Sequence, residues 1–376
     1  MLRELHKLHE IHFAALDDPR NLEGPARSSE YSSRHIREEH SAPPRRSLRF
    51  IPQLLKSIFD PIPLAVSRYS SANLRRKIDA LIASEHYDSI VCDFLPSAPN
   101  FRDLSKCVLF QHNVEATFVV RHIDKSRSWL HNAFYSMQAR KMEEYERRAC
   151  QQARHVVAVS ETDAATMRHK YQLNNVSSVS TGVDIDYFAP RPTALTKTDI
   201  VFCASMDALT NIDAVEYFLD AVFPLIRERI PSATFAIVGR SPDDRVIKAA
   251  KAWSGVTVTG TVEDVRPFLW SAKISVVPMR IGSGTRIKIY EYMASGVPVV
   301  STTMGAEGLD YMDGVDIEIA DNPLDFAAKC VRLLTDERAR QDFASRALHR
   351  TRTNRSWETT AREFEAILEK NRLSGS

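Results

Sequence analysis

Residues 278–302 read PMRIGSGTRIKIYEYMASGVPVVST. The apolar run at residues 274–277 stops at Pro278, and a loop carrying Gly282 and Gly284 follows. From Thr285 the apolar residues recur at helical spacing until Gly296, and residues 297–300 are apolar again. This order predicts strand, glycine loop, helix and strand. It favours an anion, because the first turn of a helix carries unpaired N–H groups and the positive end of the dipole. Glycines let such a backbone come close to a ligand. Arg280, Arg286 and Lys288 add positive charge around the loop, and Glu291 follows Lys288 by less than one turn. One carboxylate among cations suits a hydroxylated anion, whereas a Gly-x-Gly by itself fits a plain turn equally well.

The rest of the chain sets the frame around this stretch. Its 376 residues suffice for two domains, and 44% hydrophobic with 26% charged residues describes a globular protein. Fifty basic residues nearly cancel 48 acidic ones, and no aromatic-basic repeat appears, so nucleic acid is not an expected partner. The five cysteines, at 92, 107, 150, 203 and 330, are odd in number and widely spaced, which indicates neither a disulfide framework nor a zinc site. No metal is expected. No run reaches the length of a membrane span and no signal peptide is visible, so the expected place is the cytoplasm.

From residue 200 onward, strand and helix patterns alternate, with strands read at 200–204, 234–238, 256–258, 274–277, 297–300 and 316–319. Such alternation predicts an α/β fold with a parallel sheet covered on both faces. Earlier strands are read at 11–16, 87–92, 107–110 and 156–159, with Ser160 as a helix N-cap. Residues 17–47 read as a long polar connection. The charge-rich stretch at 121–154 reads as a helix with a solvated face that includes Lys141, Glu143, Glu144 and Glu146. Residues 49–67 are apolar but broken by prolines, and 71–84 carry Arg75, Arg76 and Lys77. This apolar, basic flank makes peripheral contact with the inner face of a membrane a further expectation. His112 and Glu115 follow the strand at 107–110, at the carboxyl edge where parallel sheets bind ligands.

The motif at 285–300, T-R-x-K-x-x-E-x-M-A-x-G-x-P-V-V, resembles the signature of the retaining glycosyltransferases of family 4. The turn VSTGVD at 179–184, the turn at Gly260 to Val265 and Glu307-Gly308-Leu309 match the same family. The resemblance implies the GT-B fold: two Rossmann-like domains facing across a cleft, with a C-terminal helix crossing back to the first. The expected domains are 1–190 on the acceptor side, 191–355 for the nucleotide sugar, and 356–376 as the crossing helix and tail. The implied catalytic residues are His112, which contacts the donor sugar in the family, with Arg286 and Lys288 on the leaving diphosphate. The implied donor-binding residues are Gly282, Ser283, Gly284, Thr285, Glu291 and Val262. Two departures stand out. Ser283 occupies the place of the first Glu of the family's Glu pair, and the loop at 205–211 lacks the Arg and Lys that many members place on the donor phosphates.

The implied reaction moves a sugar, with retention, from a nucleotide-sugar co-substrate to a glycan or lipid-linked acceptor, as in cell-surface polysaccharide or glycolipid synthesis. It needs neither a metal nor another cofactor, and in the family the leaving phosphate is thought to take the acceptor's proton. The alternative is a non-catalytic relative that binds a nucleotide sugar or glycan as a partner subunit, as Ser283 would favour. The family begins with a buried strand and a glycine loop, whereas this sequence starts as if inside the helix that follows them. Either coding sequence lies upstream of Met1 or the chain is a degraded copy.

Overall fold

The computed structural model describes residues 1–19, 23–43, 47–117, 129–195, 197–282 and 286–373. The expectations for Ser283, Gly284 and Thr285 lie outside these residues. The chain forms two compact units, one of residues 1–180 and 360–376, the other of residues 181–359.

The first unit holds two parallel sheets. Strands β1 (His12–Asp17) and β2 (Arg34–Glu39) pair along six residues, from His12 opposite Arg34 to Asp17 opposite Glu39. Strands β3 (Ile90–Asp93), β4 (Cys107–Gln111), β5 (His155–Ala158) and β6 (Val176–Ser178) form the other sheet in that order. Every residue of β4 is buried, as expected of an inner strand whose apolar run leaves neither face for water. Strand β2 corrects the reading of residues 17–47 as an unstructured connection. Its sequence, RHIREE, has one apolar residue and none of the alternation that marks a strand. It pairs only with β1 among the described residues, and charged side chains are what an edge strand tolerates.

Helices cover these strands: α1 (Leu2–His6), α2 (Ile51–Phe59), α3 (Ala72–Ser84), α4 (Trp129–Gln152) and α5 (Glu161–Tyr171). Ser71 caps α3 by accepting from the Leu74 N–H, and Ser160 caps α5 by accepting from the Asp163 N–H, at 3.3 and 3.1 Å. All five cysteines are buried free thiols.

Among the described residues, the second unit holds one six-stranded parallel sheet in the order β12-β11-β10-β7-β8-β9. Its strands are β7 (Thr198–Cys203), β8 (Phe235–Val238), β9 (Val256–Val258), β10 (Ala272–Val277), β11 (Val299–Ser301) and β12 (Glu318–Ile319). The chain starts at β7, runs outward through β8 and β9, then returns to the other side of β7 with β10. The main helices used below are α6 (Leu209–Tyr217), α7 (Lys288–Ala294), α8 (Pro323–Thr335) and α9 (Glu337–Asn354). Phe202, Phe218, Phe223, Phe235 and Phe326 fill its core without exposure.

Helix α10 (Trp357–Lys370) begins in the second unit and ends in the first. There Ala361 and Phe364 join Leu5, Val108, Phe110, Val157 and Val179 in one buried cluster, with the Phe364 ring 5.1 Å from that of Phe110. The units divide at 180 and 359, where the sequence reading put 190 and 355. The connecting stretch stays with the second unit because the Val183 N–H donates to the Arg355 carbonyl at 2.7 Å and Phe188 enters the second core. Removing the ring with Phe364→Ala is expected to destabilise the first unit by about 3–4 kcal/mol. Urea unfolding followed by a probe in that unit measures it, and an unchanged midpoint would contradict the docking described.

Candidate functional site

The strand order of the second unit reverses between β7 and β10, and open parallel sheets bind ligands at such a point, beyond the carboxyl ends of the strands. The loops leaving β7 and β10 there are residues 204–208 and 278–287. Pro278 ends the ladder of β10, having no N–H to donate. Gly282 has φ +133, a backbone conformation that other residues rarely adopt, and a Cβ on it would push the Arg286 guanidinium aside. The helix after the loop opens at Lys288, later than Thr285 as read from the sequence; the residue before it, Ile287, offers no capping side chain. Lys288 and Glu291 therefore sit in its first turn. Gly296, at φ +71, closes it: the Gly296 N–H reaches the Met293 carbonyl and the Val297 N–H the Tyr292 carbonyl, both at 3.0 Å.

Lys288 is half-buried, with Nζ 4.7 Å from the Phe202 ring centre on β7 and 3.5 Å from Asn211 Oδ1 on α6. Burial lowers its ammonium to about 8, and the neighbouring Arg286 adds to the shift. Burial raises the Glu291 carboxyl, against the pull of Lys288. Each group's charged form is thus strained for want of solvent, a condition that a bound ligand of matching charge and hydrogen bonding relieves.

Arg280 is placed differently. It pairs with Asp213 at 2.6 Å and lies over the Tyr217 ring, both on α6, so its charge serves the packing of that helix. Arg240, after β8, donates through Nε to Ser205 Oγ at 2.6 Å and brings a cation to the loop that has none in its own sequence. Val262 stands beyond β9, two strands from β7, and packs against the core. The Tyr292 hydroxyl accepts from the Cys203 N–H at 2.8 Å and donates to the Cys203 carbonyl at 3.0 Å, which fastens α7 to the end of β7.

In the first unit, β3 and β4 end side by side at Asp93 and Gln111, and His112 follows at once. His112 Nε2 lies 2.8 Å from Asp93 Oδ1. Phe94, next to Asp93, holds φ +71, a strained value for a non-glycine residue, while its N–H donates to the Phe110 carbonyl at 2.8 Å. Burial raises the Glu115 carboxyl, with Asn113 and His112 opposing. The structure thus groups Arg286, Lys288, Glu291 and Gly282 in the second unit and His112 with Asp93 and Glu115 in the first.

Three neighbours of these groups escaped the sequence reading. Asp93 was visible as the acid that closes the run IVCD. Asn211 lay in a loop searched only for cations. Glu146 sits among five other charged residues and was read as solvated, yet it is fully buried. Periodicity does not separate a charge facing inward from one facing water when both stand on the same helix.

Comparison with known proteins adds the family. Residues 1–187 match the model for glycosyltransferase family 4, and residues 197–336 match the model for glycosyl transferases group 1. The chain belongs to these glycosyltransferases. An uncharacterised 44.6 kDa protein in the cps region of Klebsiella pneumoniae is 23% identical over 136 residues, 34% of this chain and 35% of that protein. The match therefore spans about a third of that relative, and the chain covers 57% of the solved structure of TarM, at 17% identity and a TM-score of 0.57 over 78% of its own length.

Sucrose-phosphate synthase from Thermosynechococcus elongatus matches over 98% of this chain and 90% of that one, with 14% identity and a TM-score of 0.65. Anabaena HepE, solved in complex with UDP and glucose, matches over 98% and 94%, with 12% identity and a TM-score of 0.60. At such identities the likeness is one of fold, and the fold of this chain is GT-B.

The Tyr292 clamp gives a direct test of how the candidate site is held. Tyr292→Phe leaves the buried N–H and carbonyl of Cys203 without this partner and is expected to cost about 1–3 kcal/mol. Chemical denaturation measures it; a loss near zero would mean that the clamp does not hold the end of β7.

Proposed function

We propose that the protein transfers a sugar from a nucleotide-sugar donor, with retention of configuration, to a glycan or lipid-linked acceptor in the synthesis of a surface polysaccharide or glycolipid. The observation that carries this reading is the convergence of Arg286, Lys288 and Glu291 on the glycine loop at the β7–β10 reversal. In this reading the diphosphate lies against Arg286, Lys288 and the amides of the loop, with Gly282, Ser283, Gly284 and Thr285 lining it. Glu291 accepts from the nucleotide ribose, and Val262 borders the base. The UDP present in the HepE structure makes a uridine nucleotide the first to try.

The chemistry asked of these groups is stabilisation of the leaving group. As the bond from the anomeric carbon to phosphate breaks, negative charge grows on the diphosphate, and cations fixed beforehand favour that state without reorganising. The acceptor hydroxyl bonds to the anomeric carbon and gives its proton to the departing phosphate oxygen. His112, oriented by Asp93, serves the sugar, and the first unit takes the acceptor. Neither metal nor cofactor is assigned a role. The rival, a non-catalytic binder, keeps the donor site but not the turnover.

Thermal unfolding with UDP-, GDP-, ADP- and dTDP-linked sugars tests the donor site. One nucleotide is expected to raise the midpoint by about 5–10 °C near 100 times its Kd, and much less after Glu291→Ala. If no nucleotide stabilises a folded chain, the donor reading fails. If one does but no acceptor supports turnover, the rival gains.

The pH dependence follows from Lys288. Its ammonium gives up its proton at about 8 in the free protein, so affinity for the donor is expected to fall as pH rises from 7 to 9. Lys288→Arg, whose charge persists, should flatten that profile.

Peripheral membrane contact is part of the same proposal, and helix α2 supports it. Ile51, Leu55, Ile58 and Phe59 face outward with 48%, 57%, 41% and 88% exposure, while Ser57 faces inward at 2%. The helix is held this way round by polar contacts. Lys141 Nζ donates to the carbonyls of Ser57, Ile58 and Asp60 at 2.7–2.9 Å, and Gln138 donates to Ser57.

Of the cations expected to face a membrane, Arg75 is bound to the Pro99 carbonyl, whereas Arg76 is exposed and Lys77, also exposed, contacts the Arg37 carbonyl and Glu38. Lys56 and Arg140 are the exposed cations nearer α2. A groove of 470 Å³ beside the helix is lined by Ile62, Leu104, Arg140, Tyr145 and Arg148 among others. One nine-residue helix falls short of the roughly 800 Å² per partner of a stable protein interface, but it suits shallow insertion among anionic headgroups. No helix among the described residues is long and apolar enough to cross a membrane. Sedimentation with phosphatidylglycerol vesicles is expected to carry the protein down, and Leu55→Glu with Phe59→Glu to abolish this. Equal sedimentation of both proteins would remove α2 from the contact.

A further inference from the structure

Glu146 lies in the last two turns of α4 with no exposed surface, and four donors converge on its carboxylate. Oε1 accepts from the Glu115 N–H at 2.9 Å and from Gln111 Nε2 at 3.3 Å. Oε2 accepts from the Ala116 N–H at 2.9 Å and from the Tyr171 hydroxyl at 2.7 Å. None of the four donors is a cation. Among the described residues no cation pairs with it, and a buried carboxylate so placed is costly unless such bonds replace its water.

The placement of the donors gives the carboxylate a task. Gln111 is the last residue of β4, and Glu115 and Ala116 lie three and four residues after its neighbour His112. The carboxylate therefore grips the chain on both sides of His112, whose ring meets Asp93 at the carboxyl edge of the sheet.

We propose that Glu146 is a positioning residue: its carboxylate holds the turn at residues 112–116 in the shape that presents His112 beside Asp93, and adding a proton to it loosens that turn. The inference rests on the reading that His112 serves sugar transfer.

The surroundings determine when the proton arrives. Burial raises the Glu146 carboxyl to about 7, the bonds from Ala116, Tyr171 and Glu115 oppose the rise, and the nearby Glu115 carboxylate adds to it. Among the described residues, the groups that face it are Gln111 at the end of β4, Glu115 from the turn after it, the Cys150 thiol on its own helix, and Tyr171 from α5. Behind Tyr171 lies the pair of Lys170 and Glu143, at 3.3 Å. Gln111 Oε1 is buried without a hydrogen bond, so a turn of that amide offers the protonated acid an acceptor. Neutral bonds to Glu115 and Ala116 then replace charge-assisted ones.

Stability and activity should move in opposite directions. The fold holds this proton up to about 7, against 4.5 for a carboxyl in water, so this group's contribution to stability is full below 4.5 and is lost as pH rises through 7. The grip on the turn, and with it turnover, increases over the same range.

Nuclear magnetic resonance of the full chain tests this without any substrate. The amide signals of Glu115 and Ala116 are expected to shift together between pH 5.5 and 8.5 with a midpoint near 7, and Glu146→Gln, of the same shape, to remove that titration while leaving the rest of the spectrum. In a transfer assay Glu146→Gln should lower kcat about tenfold with donor KM unchanged, and lose the acid limb near pH 7. Amides that do not titrate near 7, or a Glu146→Gln enzyme with unchanged kcat and pH profile, would overturn the proposal. If the amides titrate but the parent chain turns over no donor, the grip on the turn stands and the transferase reading is what fails.

Discussion

The reversal of strand order between β7 and β10 is the constraint from which the second unit's candidate site follows. Two neighbouring parallel strands whose connections leave in opposite directions open a crevice beyond their carboxyl ends, and nothing of the sheet itself fills it. Among the described residues, side-chain contacts fix what borders it. Gly282 allows Arg286 to lie on the backbone, the Tyr292 hydroxyl holds α7 to Cys203, and Arg280 is spent on Asp213. The loops end with Lys288 and Glu291 brought in from water. Their charge is less stable than it would be on the surface, and the crevice is the place where a ligand could restore what burial removed.

A similar logic recurs in the first unit with other groups. Cations, hydroxyls and amides there hold backbone in place: Lys141 caps the end of α2, Asn100 accepts from the Ser71 N–H, and Glu146 takes two amides of the turn after β4. These are inward-facing polar anchors, and they fix surfaces that hydrophobic burial would not. Helix α2 would bury Ile51, Leu55 and Phe59 if apolar contact alone set its orientation. Held by its carbonyls and Ser57, it turns them outward.

This first unit also carries its strands in two sheets, with β1 and β2 separate from β3 to β6. The helices and the returning α10 supply core to the larger sheet. Phe364 and Ala361 stand against Phe110 and Val157 there, so the end of the chain stabilises the unit that its beginning builds.

How much was legible in the sequence differs between the two units. In the second unit short apolar runs marked four of the six strands, while 256–258 and 316–319 were read from shorter or mixed patterns, and residues 278–302 marked the loop because a glycine turn, cations and one acid leave a local signature. The first unit was read less well. Strand β2 is charged because it lies at an edge, and no local pattern distinguishes such a strand from a loop.

The sequence by itself determined the α/β class, the parallel second sheet, the family signature and the candidate residues His112, Arg286, Lys288 and Glu291. Only the tertiary structure decided which charges are buried. Glu146 and Glu144 are two residues apart on one helix, one enclosed by four donors and the other half-exposed between two arginines. Solvation depends on what distant segments bring to each side of a helix, here β4 and α5, and that information is not local to the chain.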